Sequence, residues 1–336
     1  MVNIRQDWLD QVAEDALDPD RPIVDPHHHF WRVGPLGRYM LEDLWKDTRS
    51  GHRVEKTVFV ECHADYRGEG PESMRPLGET EFVAGLAARS VEVGKAARVR
   101  GIVGHVDLRL GSGVEDLLQA HIEVGQGLFR GIRQHASWDA SADVPKSRID
   151  PPPNLYGDDD FRKGFARLAP LGLSFDAWNF HPQIPELGEL ARTFPETTIV
   201  LNHLGGPLGI GPYADRREEV FSRWQRDLAA LGECPGVVVK LGGIAMDING
   251  FGWHERDLPP TSDELAAAQR PYILHAIECF GPGRCMFESN FPVEKLYVSY
   301  GVLWNAFKKI AAEFSETSKD ALFRGTAARV YRLDAD

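Results

Sequence analysis

The stretch Pro22-Ile-Val-Asp-Pro-His-His-His-Phe-Trp31 decides how the rest of the chain is read. A short apolar run ends in an acid and then three consecutive histidines. That is the pattern of a buried strand that delivers polar side chains at its carboxyl end. Side chains two apart on a strand share a face. Asp25, His27 and His29 are therefore expected to point one way, and His28 the other. A surface histidine cluster needs no strand leading into it, and a lone core histidine does not come in an alternating pair. His27 and His29 are read as a functional pair, against the plainer alternative of a polar turn held by structural hydrogen bonds.

The same grammar recurs outward from there. Apolar runs at 23–25, 56–61, 99–106, 128–133, 173–177, 197–202, 237–241 and 284–287 predict eight strands. Helical stretches lie between them at 79–97, 116–124, 161–168, 184–193, 218–231 and 265–280, the last with Pro271 marking a break or fresh start. Two more, 303–314 and 319–330, close the chain. Short strands alternating with helices mean parallel strands joined by helical crossovers. A dinucleotide-binding doubly wound sheet opens with a glycine-rich turn after its first strand; here that strand opens onto histidines. The glycine-rich run 206–211 has neither Walker nor Rossmann spacing. The expected fold is a single α/β domain, a (β/α)8 TIM barrel over 22–333. A short amino-terminal extension, 1–21, precedes it, with a short helix expected over 8–16. Polar residues recur at the carboxyl ends of the strands, the active face of such a barrel. The loops 136–160 and 242–260 are long enough for lid or binding roles.

The chain has 336 residues, 43% of them hydrophobic, enough for a large core. Its net charge of −12, without a basic run, speaks against nucleic acid and against anionic membranes as partners. Four cysteines without a CxxC fit a reducing compartment. No secretory signal or membrane-length apolar run is apparent, so a cytoplasmic location is expected. A small molecule is the expected partner, and a homo-oligomer stays open.

The strand ends present His27, His29, Glu61, His63, Arg133, His135, His181, His203, Lys240, Glu288 and Asn290. In a closed barrel these converge. His105, His121 and His275 read as ordinary structural or surface residues, and His52 and His254 are undecided. Trp31, Trp138, Trp178, Phe180, Trp253 and Phe291 fall in the loops, where several can line a substrate pocket and others simply pack. Arg133 can grip a carboxylate or polarise a carbonyl; its plain alternative is a salt bridge to Glu61 or Asp176. Neither HExxH nor GxSxG occurs, and no cysteine is nominated as a nucleophile.

Five pieces together resemble the amidohydrolase superfamily, in its amidohydrolase-2 branch: Asp25-Pro-His-His-His-Phe-Trp31, Phe129-Arg-Gly-Ile-Arg133, Val200-Leu-Asn-His-Leu-Gly205, Met286-Phe-Glu-Ser-Asn-Phe-Pro-Val293 and Phe323-Arg-Gly-Thr-Ala-Ala-Arg-Val-Tyr331. The resemblance implies barrel hydrolases, lactonases and certain decarboxylases. It matches His27 and His29 to the strand-one pair, His203 to the strand-six histidine and His181 to the strand-five position. Those four are the expected ligands of one divalent metal, zinc or manganese. Asn290 stands where the family has an aspartate that binds metal and acts as general base. Asn offers no proton-accepting carboxylate, so metal-free catalysis stays open beside the metal. His27, His29, His203, Glu288 and Asn290 are the expected catalytic residues, with Glu288 either a proton relay or a buried structural carboxylate. Arg133, His135, Trp178, Glu61 and Lys240 are the expected substrate contacts.

The leading expectation is a hydrolase that opens a small carboxylated or hydroxylated lactone. The alternatives are a metal-dependent decarboxylase or hydratase of an aromatic or unsaturated acid, then an amide hydrolase. A catalytically silent ligand-binding barrel is the alternative of another class.

Overall fold

The computed structural model describes residues 4–93, 96–146 and 150–333. Positions 1–3 of the expected extension, 94–95 of the expected helix 79–97 and 147–149 of the long loop lie outside the described residues. Eight strands form one sheet: β1 Pro22–His28, β2 Arg53–Val60, β3 Arg98–Gly104, β4 Phe129–His135, β5 Ser174–Trp178, β6 Ile199–Leu201, β7 Val237–Leu241 and β8 Cys285–Phe287. They are hydrogen-bonded in chain order, each pair parallel. A helix follows each strand: α1 Leu41–Thr48, α2 Leu77–Glu92, α3 Glu115–Val124, α4 Asp159–Phe165, α5 Ile184–Thr193, α6 Arg217–Gly232, α7 Ser262–Phe280 and α8 Tyr300–Ile310. The architecture is a (β/α)8 barrel. Its strands read as near-continuous apolar runs because a parallel sheet is covered on both faces.

The seam between β1 and β8 is closed by the segment just past β8. Asn290 N–H donates to the His27 carbonyl at 2.9 Å, and His29 N–H donates to the Phe291 carbonyl at 2.8 Å. The Asp25 carboxylate reinforces it, accepting Ser289 N–H at 3.0 Å and the Tyr300 hydroxyl at 3.0 Å. These contacts overturn the simple alternation expected for β1. The pairing of β1 with β2 slips between Asp25 and His28, the signature of a bulge. Val24 packs in the inner cluster with Val58, Val103, Val200 and Met286. Asp25 faces α8 instead of sharing the face of His27. Past the bulge His27 turns inward, while His28 packs on the rings of Phe30 and Phe59.

Two expectations on helices are corrected. The expected break at Pro271 is absent: α7 runs through it. Burial of Leu265, Tyr272, Ile273, Ala276 and Phe280 along one face, with a capping box between Thr261 and Glu264 at its start, outweighs the ~3 kcal/mol proline costs inside a helix. The extension is helical only over Gln6–Leu9 rather than 8–16. Its Trp8 indole donates to the carbonyls of Arg256 and Asp257, and Arg5 to that of His254, so it braces the loop after β7. A short antiparallel hairpin, Trp31–Gly34 with Gly37–Tyr39, and helix α1 were not anticipated. No helix among the described residues is long and apolar enough to cross a membrane.

Candidate active site

The strand ends deliver two charged pairs and two histidines into one buried cluster. Arg133, from β4, donates through Nε to Glu61 Oε1 at 2.7 Å and through Nη2 to the Glu61 carbonyl at 2.5 Å. Lys240, from β7, donates to Asp176 Oδ2, on β5, at 2.8 Å. Asp176 also accepts the Tyr331 hydroxyl from the closing segment and the Asn202 amide. Each of these cations is matched by its own carboxylate. Glu288 has no such cation; it faces two histidines. Its Oε1 lies 2.7 Å from His203 Nδ1 and its Oε2 2.7 Å from His27 Nδ1.

The protons of this group follow from its donors. Arg133 Nη1 lies 3.2 Å from His27 Nε2 and can only donate, so Nε2 must accept. His27 Nδ1 lies 2.7 Å from Glu288 Oε2 and 3.2 Å from Lys240 Nζ, so a donor-only cation stands beside each ring nitrogen, and Lys240 also donates to Asp176. Burial, then Lys240, His203, His29 and Arg133, hold His27 well below its ordinary pKa. Burial lowers His203 as well, with Glu288 opposing. Burial alone would raise Glu61, but Arg133, then His135, hold it well below the carboxylate range. His135, whose Nε2 lies 2.9 Å from Glu61 Oε1, is lowered to about 4, by burial against the pull of Glu61.

A cavity of about 360 Å3 opens above this cluster. His29, His63, Arg133, His135, His203 and Asn290 reach it from below, and Trp178 from the side. His63, His203 and Asn290 all hold left-handed backbone, with φ of 60°, 51° and 54°. Such conformations are uncommon in non-glycine residues and concentrate at functional sites. Asn tolerates this region better than most residues.

His27, His203 and Glu288 lie close enough to hold one ion, with ligand atoms all within 4.8 Å of one another. Two neutral imidazoles and one carboxylate form a donor set suited to zinc, so the residues fit a divalent metal. The expected four-histidine set is corrected at His181. His29 stays at the cavity: its Nδ1 lies 2.8 Å from the Val60 carbonyl, which leaves Nε2 as its remaining nitrogen, though it is outside the three-residue group. His181 lies outside the cavity, on a separate pocket of about 270 Å3 beside Tyr213 and Arg223. Its Nδ1 accepts Leu208 N–H there, because it sits three residues past β5. Of the alternatives open for Arg133, the salt bridge to Glu61 is the one formed, and not one to Asp176. Lys240 and Glu61 lie beneath the cavity lining, tied to Asp176 and Arg133.

Several site-forming residues were not singled out from the sequence. Gly242 and Gly243, just past β7, make the room this cluster needs. A Cβ at Gly243 would lie 2.0 Å from His203 Nδ1, and one at Gly242 2.3 Å from the Glu288 carbonyl oxygen. Glu79 of α2 accepts the N–H groups of Cys62 and Ala64 and so shapes the turn that carries His63. Its carboxyl is pushed up to about 8, by burial and then by Glu61. The adjacent Gly-Gly was a readable signal; Glu79, on a helix, gave none.

Comparison with known proteins agrees with this geometry. The amidohydrolase family model matches residues 24–333. The uncharacterized protein y4mH of Sinorhizobium fredii is 35% identical over 327 residues, covering 94% of this chain and 99% of that protein. An L-fucono-1,5-lactonase of Burkholderia multivorans is 28% identical over 324 residues, covering 92% and 96%. A crystal structure of an amidohydrolase from Burkholderia multivorans with bound HEPES superposes with a TM-score of 0.71 at 25% identity, covering 94% of this chain and all of that one. A second crystal form of it holds zinc. With the barrel, the strand-end histidines and a match over nearly its whole length, the chain belongs to the amidohydrolase family, in its amidohydrolase-2 branch.

Proposed function

We propose that this protein is a hydrolase that opens a small lactone bearing a carboxylate or hydroxyl group. The observation that carries the reading is the His203–Glu288 pair at the floor of the cavity. Glu288 accepts the proton on His203 Nδ1, which fixes the tautomer and leaves Nε2 as the basic nitrogen. That is the base-and-orienter arrangement of hydrolytic sites. In this reading His203 Nε2 takes a proton from water, and the oxygen attacks the ester carbonyl. Glu288 stabilises the imidazolium that forms. Asn290, unable to act as a base, orients the water through its amide. Arg133 Nη1, not spent on Glu61, has a second hydrogen beyond the one facing His27 Nε2 and would donate it to the oxyanion. His203 then returns the proton to the alkoxide as the ring opens. The lactonase name of the Burkholderia relative supports lactone opening as the reaction type, not the substituents of the ring.

A metal-dependent decarboxylation or hydration of an unsaturated acid is the second reading, favoured by the His27, His203 and Glu288 group. A bound divalent ion would supply Lewis-acid chemistry. Such an ion would be held by His27, His203 and Glu288, the same atoms that hold the His203 proton in the first reading. The test is product analysis of purified protein with lactones and with unsaturated acids. Stoichiometric acid from ring opening supports the first reading; carbon dioxide without ring-opened acid supports the second.

A further inference from the structure

We infer that the lactone is amphipathic: its ester edge meets the polar floor, and its body is apolar, alkyl or aryl, rather than a polyhydroxylated ring. This rests on the lactone reading and adds the substrate's shape and polarity. The cavity's polar groups are gathered at its floor, where the atoms left over from their protein partners, among them His203 Nε2, Arg133 Nη1 and the Asn290 amide, are those the ester edge uses. Arg133 and His135 serve Glu61, and His203 serves Glu288. Above them the wall changes character. The hairpin after β1 supplies Trp31 and Leu36, the loop after β5 Trp178 and Phe180, the loop after β7 Ile248, and the segment after β8 Leu296. These come from opposite sides of the barrel, so the apolar surface surrounds the occupant instead of forming one stacking face. Phe180 and Ile248 are backed in turn by Val144 and Leu208, which thickens the apolar side of that part of the wall.

A hydroxyl brought into this space loses its water. It needs a protein partner, or the loss counts against binding. The wall offers few. Lys146, also on the lining, is largely exposed and hydrated, paired only loosely with Asp150 at 2.9 Å, so among the described residues it is the one charged group a substrate's polar edge could meet outside the floor. Ser137 is 3% exposed, lines the cavity, and its Oγ has no partner. It can satisfy one polar substituent near the floor. A sugar lactone carries a hydroxyl on nearly every ring carbon and would leave most of them unmatched. An aryl-fused or alkyl-substituted lactone would not.

The test compares dihydrocoumarin with glucono-δ-lactone on the intact protein, each corrected for spontaneous opening. The expected result is kcat/KM at least about 100-fold higher for dihydrocoumarin, the scale on which pockets separate matched from unmatched polarity. Parity, or preference for the sugar lactone, overturns the inference. A binding measurement separates it from the lactone reading. Tryptophan fluorescence, with Trp31 and Trp178 in the wall, is titrated with 3-(2-hydroxyphenyl)propionate and with gluconate. Binding of the aryl acid at least about tenfold tighter, without turnover of either lactone, keeps the apolar pocket and removes the lactonase. Gluconate binding as tightly, or no binding of the aryl acid, overturns the inference. Leu36→Asn, at the cavity wall, should lower the preference for the aryl compounds and leave the floor in place.

Discussion

At the scale of single residues, the account depends on who holds which proton. His203→Asn and Glu288→Gln should each lower kcat by about a hundred- to ten-thousand-fold, with circular dichroism unchanged. Glu288→Gln keeps the shape of the side chain, so a loss there reports the carboxylate and not the packing. Gly243→Ala should act through space and through the backbone. Its Cβ would collide with His203 Nδ1, and its φ of 67° disfavours any side chain. The expected outcome is a lowered melting temperature together with loss of activity.

Glu79 makes a pH prediction. Its carboxyl, raised to about 8, holds more protons in the folded chain than in the unfolded one between its ordinary value and about 8. The stability it contributes is therefore fully present below the ordinary carboxylate range and is lost as pH rises through about 8, at up to ~1.4 kcal/mol per pH unit. Glu79→Gln should flatten that part of the curve, read by urea unfolding at a series of pH values. An unchanged slope would mean that Glu79 ionises normally.

At the scale of elements, the seam and the amino-terminal brace are the parts to probe. Asp25→Ala strands the Ser289 N–H and the Tyr300 hydroxyl, both buried. It should cost on the order of 2–4 kcal/mol, measured by chemical denaturation. Trp8 holds the loop after β7, and that loop carries Met246 and Ile248 of the cavity wall. Trp8→Ala should raise KM several-fold, leave kcat within about twofold, and expose the 250–258 segment to proteolysis. The elements themselves were largely legible. Even the three-residue strands β6 and β8 stood out, because a strand covered on both faces is apolar throughout. The hairpin was not, because its strands span only three and four residues and are punctuated by Gly34 and Gly37. The bulge in β1 was hidden for a different reason. Strict alternation is the default for a strand, and the one mark of the slip, Pro26 between Asp25 and His27, was not read, although a proline inside a strand sits at edges and bulges. That slip is why Asp25 was placed with His27 when it belongs to the seam.

At the scale of the whole molecule, barrel closure turns a scattered set of residues into a site. His27, His203 and Glu288 are far apart in the chain and converge only when β1 meets β8. The order of motifs carried that convergence; the pairings within it were open. Nothing in the spacing says that Glu288 faces two histidines or that Lys240 answers Asp176; the position of His181, three residues past its strand, was the one readable sign that it leaves the group. The same convergence makes the metal a property of the assembled barrel. Zinc added to protein stripped by chelator should bind at about one per chain, and Glu288→Gln should weaken it. In the lactonase reading the stripped protein keeps its activity, because His203 then holds its proton against Glu288.

The most direct measurement is the initial rate of acid release from a lactone, by pH-stat, for wild type and Glu288→Gln side by side. The account predicts steady acid release by the wild type and a loss of at least about a hundredfold in the variant, both chains folded. Acid release unchanged by the substitution would remove the His203–Glu288 pair from the chemistry, and no release from any lactone would contradict the proposed reaction itself.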